Sequence, residues 1–170
     1  FKQYFVRFEG SEIEMLNHID KKNRPTMVDI SSKETTKRSA TATARIIFPE
    51  VIKDRFRDGD LQTKKGPVID TAIIAGTMAV KKTHDLIPFC HPLNINACHI
   101  SIEPDDNQDF IITCEVDIEH KTGVEMEALT GVSVAALTVY DMCKSLSHEI
   151  VISDISLQRK TGGKTDIDIS

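Results

Sequence analysis

The spacing of apolar positions along the chain changes several times, and each change marks a predicted element. Residues 41–48 alternate apolar and polar side chains, which is typical of a half-buried strand. Pro49 suits the first turn of a short helix, which we expect to run through Phe56. Residues 68–80 carry apolar side chains every three to four positions and predict a second helix that ends at Lys81 and Lys82. Many of its residues are small, which permits close packing against another helix or a sheet.

The second half of the chain predicts a hairpin, a long helix and a last strand. Residues 93–103 and 109–119 flank a polar turn at residues 104–108, a pattern typical of two antiparallel strands. The longest helix is predicted at residues 125–146, and the final strand at residues 149–158. The order strand, helix, helix, hairpin, helix, strand favours an α+β fold, in which helices cover one face of an antiparallel sheet.

Composition narrows the class of protein. The chain has 170 residues, a formal net charge of −5, 40% hydrophobic and 28% charged residues. These values are typical of one soluble globular domain, which we place at residues 16–170, after an N-terminal extension at residues 1–15.

The expected compartment is the cytoplasm, or an organelle matrix if the source is eukaryotic. No apolar run approaches the roughly 20 residues that a membrane-spanning helix needs, and the chain does not open with a signal-peptide pattern. Because Phe1 stands where an initiator methionine is expected, we interpret the chain as a piece of a longer product.

One candidate site segment is residues 85–93, where Pro88 and Pro92 bracket Cys90 and His91. Each proline fixes its own φ and restricts the residue before it, so the thiol and the imidazole are expected to hold one pose. The histidine could be a satisfied loop residue, a metal ligand, or an anion-binding and acid/base group. A metal site needs three or four convergent ligands, and only Cys90 is near in sequence, so we expect no metal.

Nucleophilic catalysis by a cysteine is also disfavoured, because adjacent residues of an extended backbone usually point to opposite sides. A chain of this length can bury a core without disulfides. Free thiols are therefore expected at Cys90, Cys98, Cys114 and Cys143.

A second candidate segment is residues 122–130, in which Gly123 leads into Glu125 and Glu127. Both carboxylates should lie in the first turn of the long helix, where the helix dipole stabilises negative charge.

Lysines cluster at the ends of predicted elements. The clusters are Lys64 with Lys65, Lys81 with Lys82, Lys144, and Lys160 with Lys164. A solvated surface is the more frequent setting of any single lysine. If these clusters converge, they form a local anion site in an otherwise acidic protein.

Asp141 and Lys144 are three residues apart near the end of the long helix and therefore share one face. A helix-surface ion pair, worth about 0.3–0.5 kcal/mol, is the plain alternative to a functional pair. Because Tyr140, Met142 and Cys143 flank the pair with bulky, mostly apolar groups, we expect it to be partly desolvated.

From about residue 16 to residue 164, the chain resembles the cyclic pyranopterin monophosphate synthase family of molybdenum-cofactor biosynthesis. The stretches that carry the resemblance are Met27-Val28-Asp29, residues 74–81, 85–93, 121–130 and 132–144, and Gly162-Gly163-Lys164. They are long and ungapped.

This resemblance implies a reaction and an assembly. The reaction converts 3′,8-cyclo-7,8-dihydroguanosine 5′-triphosphate into cyclic pyranopterin monophosphate and releases pyrophosphate. The implied fold is ferredoxin-like, and the implied assembly is a homohexamer, a trimer of dimers with its sites at subunit interfaces. No cofactor is expected, whereas Mg²⁺ accompanying the triphosphate stays open. Neither nucleic acid nor a membrane is an expected partner.

The resemblance also implies site residues. The implied catalytic residues are Asp141, Lys144 and Lys65, and the implied substrate-binding residues are Lys81, Phe89, Cys90, His91, Glu125, Met126, Glu127, Lys160 and Lys164. The last two belong to a basic C-terminal tail that is expected to be mobile and to close over the site. In such a site, lysines and His91 would bind the triphosphate. An Asp–Lys pair whose pKa values are shifted toward neutrality could donate and accept protons.

Three positions depart from the family pattern. Ile73 stands where the family commonly has arginine, Phe89 stands where leucine or methionine is usual, and residues 161–166 lack one glycine of the usual tail. The remaining alternatives are a catalytically silent nucleotide-binding relative and an oligomeric scaffold, in which small-residue helices would serve only subunit packing.

Overall fold

The computed structural model of the chain describes residues 24–56 and 60–169, so the predicted extension at residues 1–15 lies outside the described residues. The strands are β1 (Thr36–Ile47), β2 (Gln62–Thr63), β3 (Gly66–Pro67), β4 (Ala97–Pro104), β5 (Phe110–His120), β6 (Val151–Thr161) and β7 (Ile167–Asp168). The helices are α1 (Glu50–Lys53), which continues as a 3₁₀ turn (Asp54–Phe56), α2 (Val68–Lys81), α3 (Thr83–Leu86) and α4 (Glu125–Cys143).

In the described part of the chain, the main sheet has five strands in the order β4-β5-β1-β6-β7, and every pair of neighbours is antiparallel. With α2 between β1 and β4, and α4 between β5 and β6, this is the strand order of a ferredoxin-like α+β fold. The fold class predicted from the sequence is therefore confirmed.

One face of the sheet is buried under α2 and α4. On the central strand β1, the buried side chains are Ala40, Ala42, Ala44 and Ile46. Three of these four side chains are single methyl groups, so a helix can lie close to the strand. Because side chains alternate between the two faces of a strand, these four residues form one flat apolar face, and α4 packs against it.

The two long helices approach each other at two glycines. A Cβ atom on Gly76 would lie 2.9 Å from the backbone oxygen of Gly131, and one on Gly131 would lie 2.8 Å from Val80. Residues later in α2 therefore meet residues earlier in α4, and the two helices run antiparallel. The small residues noted in the sequence serve this contact.

A buried carboxylate, that of Asp109 at the end of the β4–β5 turn, connects this hairpin to β1 and to the residues that follow β1. Asp109 accepts a hydrogen bond from the backbone N–H of Phe48 at 3.1 Å and pairs with Arg45 and Lys53, each at 3.2 Å. Phe110 then packs edge-on against Phe48, with ring centroids 5.0 Å apart. The hairpin is thereby tied to the segment that follows β1.

Most element boundaries lie within two residues of the predictions, but β1 begins at Thr36 rather than residue 41, and β4 begins at Ala97 rather than residue 93. The last strand runs to Thr161 rather than residue 158, because it stays paired with β1 as far as Ser39. The long helix ends at Cys143 rather than residue 146. None of the described helices combines the length and apolarity needed to cross a membrane.

Replacing Gly76 with alanine should destabilise the protein, because the new methyl group meets a backbone oxygen that cannot move alone. The expected loss is about 1–3 kcal/mol of unfolding free energy, even though alanine is the better helix former. Urea unfolding followed by circular dichroism, at one fixed protein concentration, measures it. Gly163→Ala is the control, since its Cβ would meet only Arg38 Nη1, at 3.4 Å, and Thr165 O, at 3.9 Å. A Gly76→Ala protein as stable as the wild type would contradict the close crossing.

Candidate active site

A cavity of about 360 Å³ opens beside the N-terminal end of α4. Its walls are the loop after α3, the first turn of α4 and a segment before β1. The lining residues are Val28, Ile30, Lys33, Phe89, Cys90, His91, Leu93, Thr122, Gly123, Glu125, Met126 and Glu127. The two segments singled out in the sequence therefore meet in space, although 28 residues (94–121) separate them along the chain.

Backbone hydrogen bonds between residues three or four positions apart shape the loop that carries His91. The N–H of Ile87 donates to Thr83 O at 2.9 Å, and the N–H of Cys90 donates to Ile87 O at 3.0 Å. His91 Nε2 then lies 2.9 Å from the backbone oxygen of Val28. Burial raises the pKa of the Cys90 thiol, and the negative charge of Glu127 raises it further. Cys90 is therefore a protonated thiol rather than a ready nucleophile.

The two carboxylates at the start of α4 have different surroundings. Glu127 is 4% exposed, and burial raises its pKa to about 7, with the charge of Glu125 adding to the rise. Glu125 forms an ion pair of 3.2 Å with Lys160 on β6. Near neutral pH, Glu127 can therefore accept or donate a proton.

A second cluster lies at the other end of α4. Asp141 is held between two ammonium groups, that of Lys144 at 2.8 Å and that of Lys65 at 2.5 Å. These hydrogen bonds, first from Lys144 and then from Lys65, lower the pKa of Asp141 to about 2. The same contact raises the pKa of Lys144. The cluster therefore carries one negative and two positive charges at neutral pH.

The length of α4 separates the two clusters. Asp141 follows Glu127 by 14 positions on one helix, which at 1.5 Å per residue places them about 21 Å apart. An atom within hydrogen-bond reach of Asp141 is therefore out of reach of Glu127 in the same chain.

Within one chain, the predicted lysine clusters do not converge on one point. Lys65 lies before α2 and Lys81 at its end, so the 14 residues of α2 hold them about 20 Å apart. Because α2 and α4 are antiparallel, Lys65 lies beside Asp141, whereas Lys81 lies toward the Glu127 end.

The charge of Lys81 also acts on a thiol, that of Cys98. A hydrogen bond from Cys114 lowers the pKa of Cys98 to about 7, with smaller contributions from Thr77 and the charge of Lys81. All four cysteines are free, as the sequence predicted.

Comparisons with known proteins match most of the chain. The MoaC family model matches residues 27–163. The chain is 55% identical over 152 residues to the cyclic pyranopterin monophosphate synthase of Xanthomonas axonopodis pv. citri (strain 306), covering 89% of this chain and 92% of that protein. It is 48% identical over 152 residues to the protein of the same name from Brevibacillus brevis (strain 47 / JCM 6285 / NBRC 100599), covering 89% and 94%. It is also 54% identical over 157 residues to a molybdenum cofactor biosynthesis bifunctional protein of Synechocystis sp. (strain ATCC 27184 / PCC 6803 / Kazusa), covering 90% of this chain and 45% of that protein.

The chain belongs to the MoaC family.

Several expectations for this MoaC family chain can be compared with the geometry. The Asp141–Lys144 contact is present, but the expected desolvation is absent, since the side chains are 52% and 47% exposed. Their pKa values move away from neutrality, because each charge stabilises the other. The buried neighbours Met142 and Cys143 point inward, whereas Asp141 lies on the outward face of α4.

The three departures from the family pattern lie in ordinary structural settings. Ile73 packs against the hydrophobic core, and Phe89 lines the cavity. In the tail, the N–H of Gly162 donates to Asp166 Oδ1 at 3.0 Å, and β7 pairs with β6. Lys164 lies in this turn, exposed to solvent. Across residues 24–56 and 60–169, no three His, Cys, Asp or Glu side chains are placed to hold a metal ion.

The sequence interpretation missed the residues contributed by the segment before β1. Val28, Ile30 and Lys33 line the cavity, and Lys121 Nζ donates to the backbone oxygen of Ser31 at 2.7 Å. The Met27-Val28-Asp29 stretch carried the family resemblance and was the available signal that this segment belongs to the site.

Glu127→Gln should change how stability depends on pH. As pH rises from about 4.5 to about 7, the unfolded chain releases the Glu127 proton while the folded protein keeps it, so wild-type stability falls across that window and stays lower above it. The variant lacks this loss and should gain, relative to the wild type, up to about 3 kcal/mol between pH 4.5 and pH 8.

Urea unfolding across that pH range, at a fixed protein concentration, measures the difference. Glu115→Gln, at an exposed position of β5, is the matched control and should follow the wild-type profile. A constant difference between Glu127→Gln and the wild type at every pH would show that Glu127 titrates as an ordinary exposed carboxyl.

Proposed function

We propose that this chain is a cyclic pyranopterin monophosphate synthase that acts in molybdenum-cofactor biosynthesis. The proposed reaction converts 3′,8-cyclo-7,8-dihydroguanosine 5′-triphosphate into cyclic pyranopterin monophosphate with release of pyrophosphate, which makes the enzyme a phosphorus–oxygen lyase. Besides family membership, the observation that carries the proposal is the cluster in which Lys65 and Lys144 both contact Asp141.

The cluster suits the charge changes of this reaction. Closing the cyclic phosphate requires a ribose hydroxyl to attack the α-phosphorus while pyrophosphate leaves with its negative charge. Asp141 stays a carboxylate and holds two ammonium groups in fixed directions, so these groups can stabilise developing charge or deliver a proton. Asp141 itself acts as an acceptor and an orienting group rather than as an acid.

The cavity suits the purine part of the substrate. A carboxylate can accept hydrogen bonds from guanine N–H groups, and Glu127 near its pKa can also exchange a proton during ring opening. His91 lines the cavity wall, and Lys160 brings a cationic group beside the cavity, where it pairs with Glu125. Cys90 lines the cavity with an uncharged thiol.

We further propose that a working site needs two copies of the chain. The two clusters lie about 21 Å apart on α4, so a second copy must bring its Asp141 cluster to the cavity of the first. Each helix also exposes apolar side chains that a partner would cover: Ile74 is 61%, Met78 55% and Leu137 59% exposed. The Asp141–Lys144 pair is also half exposed in the single chain. A partner that covered it would remove it from solvent. The proposed assembly is a homohexamer built as a trimer of dimers.

No resident cofactor is proposed, and any Mg²⁺ would be bound by the oxygens of the triphosphate, which are the hard ligands that this ion prefers. We also propose that the enzyme works in the cytoplasm, or in an organelle matrix if the source is eukaryotic.

Turnover of the cyclised guanosine triphosphate tests the function. The wild type should release pyrophosphate and form a pterin that becomes fluorescent on oxidation. Asp141→Asn should lower kcat by about 100-fold or more, because the lysines lose the anion that orients them. Asp106→Asn, an exposed turn position of the β4–β5 hairpin, is the matched control and should keep wild-type kcat. Normal turnover by Asp141→Asn would point to a binding relative or a scaffold instead of this catalyst.

Mixing two inactive variants tests the shared site. Asp141→Asn and His91→Ala chains, unfolded together and refolded as mixed dimers, should recover about one quarter of wild-type activity, since half of random dimers are hybrids with one intact site of two. Each variant refolded alone should stay inactive. If the mixture also stays inactive while light scattering shows mixed oligomers, the two clusters belong to separate sites.

A further inference from the structure

A segment outside any helix or strand forms one wall of the cavity. This segment, residues 28–33, is named the strap. Val28, Ile30 and Lys33 of the strap line the cavity opposite the α3 loop and the start of α4. Its own turn is maintained internally, because the N–H of Ser31 donates to Asp29 Oδ1 at 2.8 Å and the N–H of Lys33 donates to Ile30 O at 3.1 Å.

In the described part of the chain, two hydrogen bonds connect the strap to the rest of the molecule. His91 Nε2 contacts Val28 O at 2.9 Å, and Lys121 Nζ donates to Ser31 O at 2.7 Å. The positive charge of Lys121 also lowers the pKa of Asp29, after the larger effect of the Ser31 hydrogen bonds. Lys121 itself is not among the cavity-lining residues. Its side chain therefore contacts the cavity wall through the strap, while the next two residues of the chain, Thr122 and Gly123, line the cavity directly.

The contact with Val28 determines the state of the His91 ring. A backbone oxygen can only accept a hydrogen bond, so Nε2 must carry the proton and, in the neutral ring, Nδ1 must be the free acceptor. If the strap moves, Nε2 loses its partner and the ring loses the contact that orients it.

Charge in the cavity gives the strap a second role. Among the described residues, the ammonium of Lys33 has no ion-pair partner, whereas Glu125 is paired with Lys160. Glu127 is buried and half neutralised at neutral pH. Across the residues that the structure describes, Lys33 is therefore an unpaired cation at the cavity wall, which can attract an anionic group such as a phosphate.

We propose that Lys121 is a positioning residue that fixes the strap, and that the strap in turn orients His91 and presents Lys33 to a phosphate of the substrate. This inference rests on the proposed function for the identity of that substrate. The connection from Lys121 to Ser31, along the strap backbone to Val28, and from Val28 to His91 does not depend on it.

The first test is kinetic. Lys121→Met should lower kcat/KM about tenfold, with most of the change in KM, because the phosphate contact at Lys33 is misplaced and His91 loses its orientation, while the Asp141 cluster is untouched. Lys121→Arg keeps a cationic donor and should recover to within about twofold of the wild type. Lys37→Met, an exposed lysine of β1 outside the cavity, should behave as the wild type. A Lys121→Met enzyme with unchanged KM and kcat would overturn the proposal.

The second test needs no turnover. Binding of inorganic triphosphate, measured by calorimetry, should weaken about tenfold in both Lys33→Met and Lys121→Met, and should return in Lys121→Arg. Hydrogen exchange followed by mass spectrometry should show faster exchange in the strap of Lys121→Met, with α2 and α4 unchanged. Unaltered strap exchange in Lys121→Met would contradict the positioning role.

The two tests separate the inference from the proposed function. If the wild type fails to turn over the cyclised nucleotide but loses triphosphate affinity and strap protection on Lys121→Met, the function is wrong and the positioning role stands. If the wild type turns over and Lys121→Met matches it in every measurement, the function stands and the positioning role is wrong.

Discussion

The close antiparallel packing of α2 against α4 is the constraint on which the rest of the structure depends. Gly76 and Gly131 let the two helices touch at backbone distance, and the alanines of β1 let α4 lie close to the sheet. Once this packing is made, the two ends of the helix pair become two chemical locations. At one end of the helix pair, Lys65 before α2 lies beside Asp141 and Lys144 at the end of α4. At the other end lie the α3 loop, the first turn of α4 and the strap.

The two locations differ in electrostatics, and the difference follows from solvent exposure. At the open end, Asp141 meets two ammonium groups in solvent, so opposite charges hold one another in their ionised forms. At the cavity end, Glu127 is removed from water and has no ion-pair partner among residues 24–56 and 60–169, so burial brings its pKa to about 7. One end therefore offers fixed charge, and the other offers a group that changes its protonation near neutral pH. A reaction that both expels pyrophosphate and moves protons on a purine needs both kinds of group.

Sequence patterns predicted the elements well because each element is encoded locally. The period of two in β1 and the small-residue period in α2 reflect faces that are buried in the fold. Local patterns did not place Cys90 and His91 beside Glu127. Only the family resemblance implied that these residues belong to one site. The patterns could not reveal that Lys65 and Lys81 lie at opposite ends of a helix pair, because this depends on helix length and packing direction together. The contacts of His91 with Val28 and of Lys121 with Ser31 span 63 and 90 positions of the chain and leave no local signal. Desolvation of Asp141 was mispredicted because its apolar sequence neighbours point inward on the helix.

The most direct test of this account is a crystal structure of the Asp141→Asn variant with the cyclised guanosine triphosphate bound. If the site is shared between copies, the purine should lie in the cavity against Glu127 and His91 of one copy, while residue 141 and Lys144 that contact the ligand come from a neighbouring copy. A ligand whose contacts all come from a single chain would contradict the shared site.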